Sequence, residues 1–153
     1  MKLMLNQMYP FWACIISMLS AQLLKPLFHY LKTNKWDCSQ IWASGGYPSS
    51  HTAAVSALSL SVGIQERFSS TIFAVVLAFS MIVAYDAANV RRYAGRNIQI
   101  TQQLIKDVQE ITDAKLDDPV YFLKVKNVLG HEWLEVFGGI LHGVMIALIL
   151  FYW

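Results

Sequence analysis

Three stretches of this chain, Leu3 to Leu24, Phe68 to Tyr85 and Val136 to Trp153, contain no Asp, Glu, Lys or Arg. Each approaches the roughly 20 apolar residues that an α-helix needs to cross a hydrocarbon core. A fourth uncharged run, Cys38 to Gln65, differs in kind. It opens on glycines, a proline, hydroxyls and His51, and its apolar part, Thr52 to Ile64, is short and carries Ser56, Ser59 and Ser61. Such hydroxyls suit a helix that bonds them back to its own carbonyls and is shielded from lipid by its neighbours. The chain is 56% hydrophobic and 14% charged, against roughly 25% charged residues in soluble domains. The expectation is an all-α integral membrane bundle of about four spans in a single domain over residues 1–153, the second span being the most enclosed. The first run reads as a retained span, since Lys2 is its only early charge and no small-x-small cleavage site follows.

Charge is unevenly placed. Lys25, Lys32 and Lys35 fall between the first two runs, and Arg91, Arg92, Arg96, Lys106, Lys115, Lys124 and Lys126 between the last two; Lys2 and Arg67 fall on the other side. The excess of basic residues on one side predicts that both basic connections face the cytoplasm, in a plasma (inner) membrane protein with its termini outward. Within the long connection, Leu104, Ile105, Val108 and Ile111 recur at helical spacing, and Asp117, Asp118 and Pro119 start a second pattern through Val120, Leu123 and Val128. These read as amphipathic interfacial helices between spans three and four, lying on the membrane surface or packing under the spans. Cys14 and Cys38 have neither ligand spacing nor a bridging framework.

The residues that are costly at a membrane boundary gather at span ends on one predicted side. They are Lys25 and Lys32; Ser49, Ser50 and His51; Asp86 with Arg91, Arg92 and Arg96; and His131 with Glu135. Cations, hydroxyls and histidines at one depth suit a phosphate, whose oxygens take several charge-assisted hydrogen bonds. Metal binding suits so cationic a set less well, and no cofactor is called for. His131 and Glu135 lie four residues apart, so on a helix the carboxylate can hold one ring nitrogen and leave the other free to attack; the same pair is also an ordinary capped helix start. Ser49, Ser50 and Thr52 are preferred N-cap residues, which accounts for the hydroxyls of "PSSH" but not for His51. Asp86, a carboxylate closing an apolar run, needs a basic partner and reads as a support for the arginines. His142 reads as a helix-packing residue and His29 as interfacial.

Taken together, "GGYPSSHTAAVSAL", "YDAANVRRYAG" and "LGHEWLEVFGG" resemble the divergent branch of the type 2 phosphatidic acid phosphatase superfamily, to which lipid phosphate phosphatases and vanadium haloperoxidases are related. The resemblance implies that Ser49 and Ser50 contact phosphate, that His51 protonates the leaving alcohol, and that His131 is the nucleophile, forming a phosphohistidine with Glu135 as its orienter. Lys25 and Lys32 keep the spacing of the superfamily's first motif, with lysine where its arginine stands and Thr33 where its proline stands. Ser50 occupies a glycine position, and Val125, between Lys124 and Lys126, stands where an arginine is expected. Arg91 and Arg92 are candidates for the missing guanidinium.

The implied activity is metal-independent hydrolysis of a lipid phosphate monoester or diphosphate, with phosphatidylglycerophosphate or phosphatidic acid favoured over a prenyl diphosphate. Two rivals stay open: a catalytically silent lipid-phosphate binder or membrane assembly factor on the same scaffold, and an anion carrier or channel. The expected partners are the bilayer and the lipid phosphate, with a homo-oligomer as an open option and no nucleic acid.

Overall fold

The computed structural model describes residues 8–43, 45–112 and 133–152; these are helical throughout apart from their turns, with no strand among them. Helix α1 (Tyr9–Thr33) leads through a 3-10 turn (Cys38–Trp42) to α2 (Ser50–Glu66). Helix α3 (Thr71–Tyr85) continues through a π turn (Asp86–Val90) into α4 (Arg91–Thr112), and α5 is Trp133–Tyr152. The second amphipathic pattern, from Asp117 to Val128, lies outside the described residues.

α2 is the axis of the bundle. It packs against α1, α3 and α5, whereas α3 packs chiefly on α2. Two of its hydroxyls are satisfied as a buried helix requires: Ser61 donates to the Ala57 carbonyl at 2.6 Å, and Ser59 bonds Ser80 of α3 at 2.7 Å. Ser80 in turn reaches the Val76 carbonyl at 2.8 Å. This disposes of polar groups that would be costly against lipid.

α1, α3 with its extension to Asn89, and α5 are each long and apolar enough to cross a membrane. α2 is shorter and enclosed by them, as the serines foreshadow. Aromatic side chains mark both ends of the spans, Tyr9, Trp12 and Tyr152 at one and Tyr30, Trp36, Trp42 and Trp133 at the other. At 1.5 Å of rise per residue, Trp12 to Tyr30 spans about 27 Å and Trp133 to Tyr152 about 29 Å, close to the roughly 30 Å of a hydrocarbon core. Aromatic rings concentrate at that boundary.

Two features lie beyond what the charge pattern suggests. α1 runs past the end of its uncharged stretch and carries Lys25, Pro26 and Lys32 on its last turns, ending on Asn34 at φ 53°. Lys25 is tolerated within the helix because its ammonium is bonded inside the bundle, leaving the residue 2% exposed. Second, α5 presses its backbone onto α2. A Cβ at Gly139 would lie 2.5 Å from the Ser49 carbonyl oxygen, and one at Gly143 would collide with the Ala53 carbonyl. On a neighbouring face of α5, His142 bonds Ser20 of α1 at 2.8 Å, and Tyr9 donates to the Ala147 carbonyl at 2.7 Å.

Candidate functional site

The site forms where α1 ends and α2 and α5 begin. The connection after α1 is fixed by side chains of that helix. Gln22 donates its amide to the carbonyls of Ile41 (2.5 Å) and Ala43 (3.1 Å), and Lys25 Nζ donates to Ala43 at 2.8 Å. Asp37 caps the 3-10 turn. Hydrogen bonds from the Gln40 side chain (2.8 Å) and from Ser39 (3.0 Å) hold its carboxyl below the usual carboxylate range. Gly46 then turns the chain at φ 97°, a left-handed conformation that L side chains rarely adopt.

Ser49 is the N-cap of α2. Its hydroxyl accepts from the Thr52 N–H at 3.3 Å and bonds the Thr52 hydroxyl at 3.0 Å, and the residue is fully buried. Its own N–H donates to the Glu135 carbonyl at 3.0 Å. That bond joins the start of α2 to the first turn of α5 and brings the "PSSH" stretch to Glu135.

Around this junction lies a recess of about 130 Å³, lined by Lys25, His29 and Lys32 of α1, Gln40 and Gly46 of the connection, Tyr47, and Glu135 of α5. Its lining carries two lysines, one of them with its ammonium on the Ala43 carbonyl, against one carboxylate. Beside it opens a cleft of about 350 Å³ that shares Phe28, Lys32, Tyr47 and Glu135 and adds Leu31 and Leu134, at the small end of the range for ligand pockets. The recess has the larger polar share of the two, and the cleft is the more apolar. The ring of Tyr47 stands between them, edge-on to Phe28 at 4.7 Å and 69°.

Of the candidate residues, Lys25, Lys32 and Glu135 line the recess, and Ser49 adjoins it through its bond to Glu135. Ser50 is buried and His51 partly buried on the first turn of α2. Asp86 opens the π turn, whose residues touch α5. His131 lies outside the described residues, as do the side chains of Arg91 and Arg92. Tyr47, Phe28 and Gln40 also line the site, and their sequence context does not single them out. The one sequence signal for Tyr47 is the Gly138–Gly139 pair in α5, because a Cβ at Gly138 would strike the Tyr47 ring.

Residues 6–146 match the family model described as the divergent PAP2 family. The chain belongs to the divergent PAP2 family. The chain is similar to the uncharacterized membrane protein YuiD of Bacillus subtilis (strain 168), 34% identical over 157 residues that cover 99% of this chain and 98% of that one. No solved structure matches the chain. As a divergent PAP2 protein it is an all-helical membrane protein, and the three stretches that resemble the superfamily's motifs lie within the matched span.

The collision at Gly138 is with the far end of a side chain, so Gly138→Ala is expected to swing the Tyr47 ring outward at a stability cost under about 1 kcal/mol, below the usual range for overpacked cores. Tyrosine nitration should rise at Tyr47 while the thermal midpoint in detergent barely moves. Unchanged reactivity would mean that the ring does not divide the two halves.

Proposed function

We propose that this divergent PAP2 protein is a lipid-phosphate phosphatase. The observation that carries the reading is the meeting of Lys25, Lys32, the Ser49 cap and Glu135 at a cationic recess joined to an apolar cleft. An anionic head and an apolar tail could occupy the two halves at once. In the first step a ring nitrogen of His131 attacks phosphorus, the bond to the leaving oxygen breaks, and His51 gives that oxygen its proton. In the second, water attacks the phosphohistidine, His51 takes a proton from the water, and the P–N bond breaks to release inorganic phosphate and free His131. Glu135 orients the attacking ring, and Lys25 and Lys32 balance charge on the phosphoryl oxygens. The favoured substrates are phosphatidylglycerophosphate and phosphatidic acid, presented from the cytoplasmic leaflet.

Phosphate release by purified protein in detergent tests this. Release is expected from one of these two lipids in preference to a prenyl diphosphate, persisting in chelator and inhibited by vanadate, a mimic of five-coordinate phosphorus. Activity lost in chelator and restored by a divalent ion would sink the metal-free route. The second reading, a silent lipid-phosphate binder, is favoured by one observation: the Lys25 ammonium is committed to the Ala43 carbonyl and the Ser49 hydroxyl to Thr52. Tight binding of phosphatidic acid without any release would favour that reading.

The cytoplasmic orientation rests on the basic bias of the connections. With Cys14 and Cys38 replaced, a cysteine in the 106–118 connection should be shielded from an impermeant thiol reagent added outside intact cells. Ready labelling would reverse the orientation.

A further inference from the structure

α4 does not join the bundle as the other long helices do. Among the described residues its main contact is with the π turn from which it emerges. Tyr93, Ile100, Leu104 and Ile111 are 61%, 65%, 59% and 83% exposed, and at 100° per residue they fall within one narrow stripe. Gln103 and Glu110 occupy a different, exposed face, where the Gln103 amide donates to Asp107 at 2.7 Å.

Three observations identify what covers the stripe. The backbone enters α4 directly from a helix long and apolar enough to span a membrane, Thr71–Asn89, at the end of the bundle where the recess opens. Tyr85 and Tyr93, 63% and 61% exposed, flank the exit, as amphipathic rings do at headgroup level. Finally, residues 91–112 carry four basic side chains, Arg91, Arg92, Arg96 and Lys106, against two acidic ones, Asp107 and Glu110, and the arginines are nearest the span. That bias attracts anionic headgroups. A second copy seated stripe to stripe about a two-fold axis would instead bring together two helices that each carry this basic excess, at a cost in like-charge repulsion.

We infer that α4 is an in-plane membrane helix, sinking Tyr93, Ile100, Leu104 and Ile111 into the acyl–headgroup boundary of the leaflet on which the recess opens, and that the surface it fits is a phospholipid leaflet bearing anionic headgroups. It holds anionic lipid beside the recess whether or not the site is catalytic.

The test uses the full chain in vesicles of phosphatidylcholine and phosphatidylglycerol, with Cys14 and Cys38 replaced and a bimane-labelled cysteine at Ile100, Leu104, Gln103 or Glu110. A nitroxide on the lipid chain near the headgroup should quench the labels at 100 and 104 severalfold more than those at 103 and 110, and aqueous iodide should show the reverse order. Omitting phosphatidylglycerol should shrink the contrast. Equal quenching at all four positions, or iodide reaching 100 and 104 freely, overturns the placement. Protection of 100 and 104 from both quenchers, with energy transfer between labelled copies rising with protein-to-lipid ratio, gives the stripe to a second copy and also overturns it. A contrast indifferent to phosphatidylglycerol removes the anionic preference. A variant that loses helical circular dichroism is replaced by the corresponding label at Ile111, at the exposed far end of the stripe.

Discussion

Under the proposed mechanism, replacing His131 with alanine is expected to lower phosphate release by several orders of magnitude on every substrate, because the variant would have no nucleophile with which to form the covalent intermediate. Loss of a general acid at His51 should cost on the order of 10² to 10⁴-fold on a lipid phosphate. The two failures differ in kind. A nitrophenyl phosphate loses nitrophenolate, a stable anion that needs little protonation, so His51→Ala should recover part of its rate on that substrate and His131→Ala should recover none. Glu135→Gln should fall between them. It keeps its place beside Lys25 and Lys32 but loses the charge that steadies an imidazolium and selects the tautomer. Wild-type release by all three variants would end the enzyme reading. Loss of folded protein in all three would assign these residues to capping and packing.

The second large effect is expected at the seam between α5 and α2. Unlike Gly138, which faces a movable ring, Gly143 faces the Ala53 carbonyl and Gly139 the Ser49 carbonyl, both parts of the α2 backbone. Neither can give way without shifting the helix, so Gly143→Ala should cost about 1–3 kcal/mol. Gly143→Leu should leave little folded protein, given a total stability of about 5–15 kcal/mol. Gly139→Ala pushes directly on the cap that carries the Ser49–Glu135 bond, and should reduce phosphate release more than its loss of thermal midpoint implies. Midpoints in detergent, set beside phosphate release on the same preparations, check both. A Gly143→Leu protein that melts like the wild type would show that α5 does not rest on α2 at this seam.

Much of the fold is legible because a bilayer leaves few choices. The uncharged runs foretell α1, α3 and α5, and the serines of α2 foretell an enclosed helix, since hydroxyls facing lipid would be wasted where hydroxyls facing Ala57 and Ser80 are not. The end of α1 is not legible in the uncharged run: a charge normally marks water, yet Lys25 ends on the Ala43 carbonyl. The recess is half legible. Lys25, Lys32 and Glu135 announce themselves as charges near span ends, whereas Phe28, Gln40 and Tyr47 are ordinary residues whose role arises only when three distant segments meet. No local pattern encodes that meeting.

The bond from the Ser49 N–H to the Glu135 carbonyl has a consequence for how such a site can drift. Both groups belong to the main chain, so neither depends on which side chain either residue carries. The frame can therefore survive a serine at position 50 in place of glycine, or a lysine at position 32 in place of arginine, while the chemistry it presents is rewritten. Lineages descended from one scaffold could exchange substrates, or give up turnover for binding, without first having to unfold and rebuild the junction.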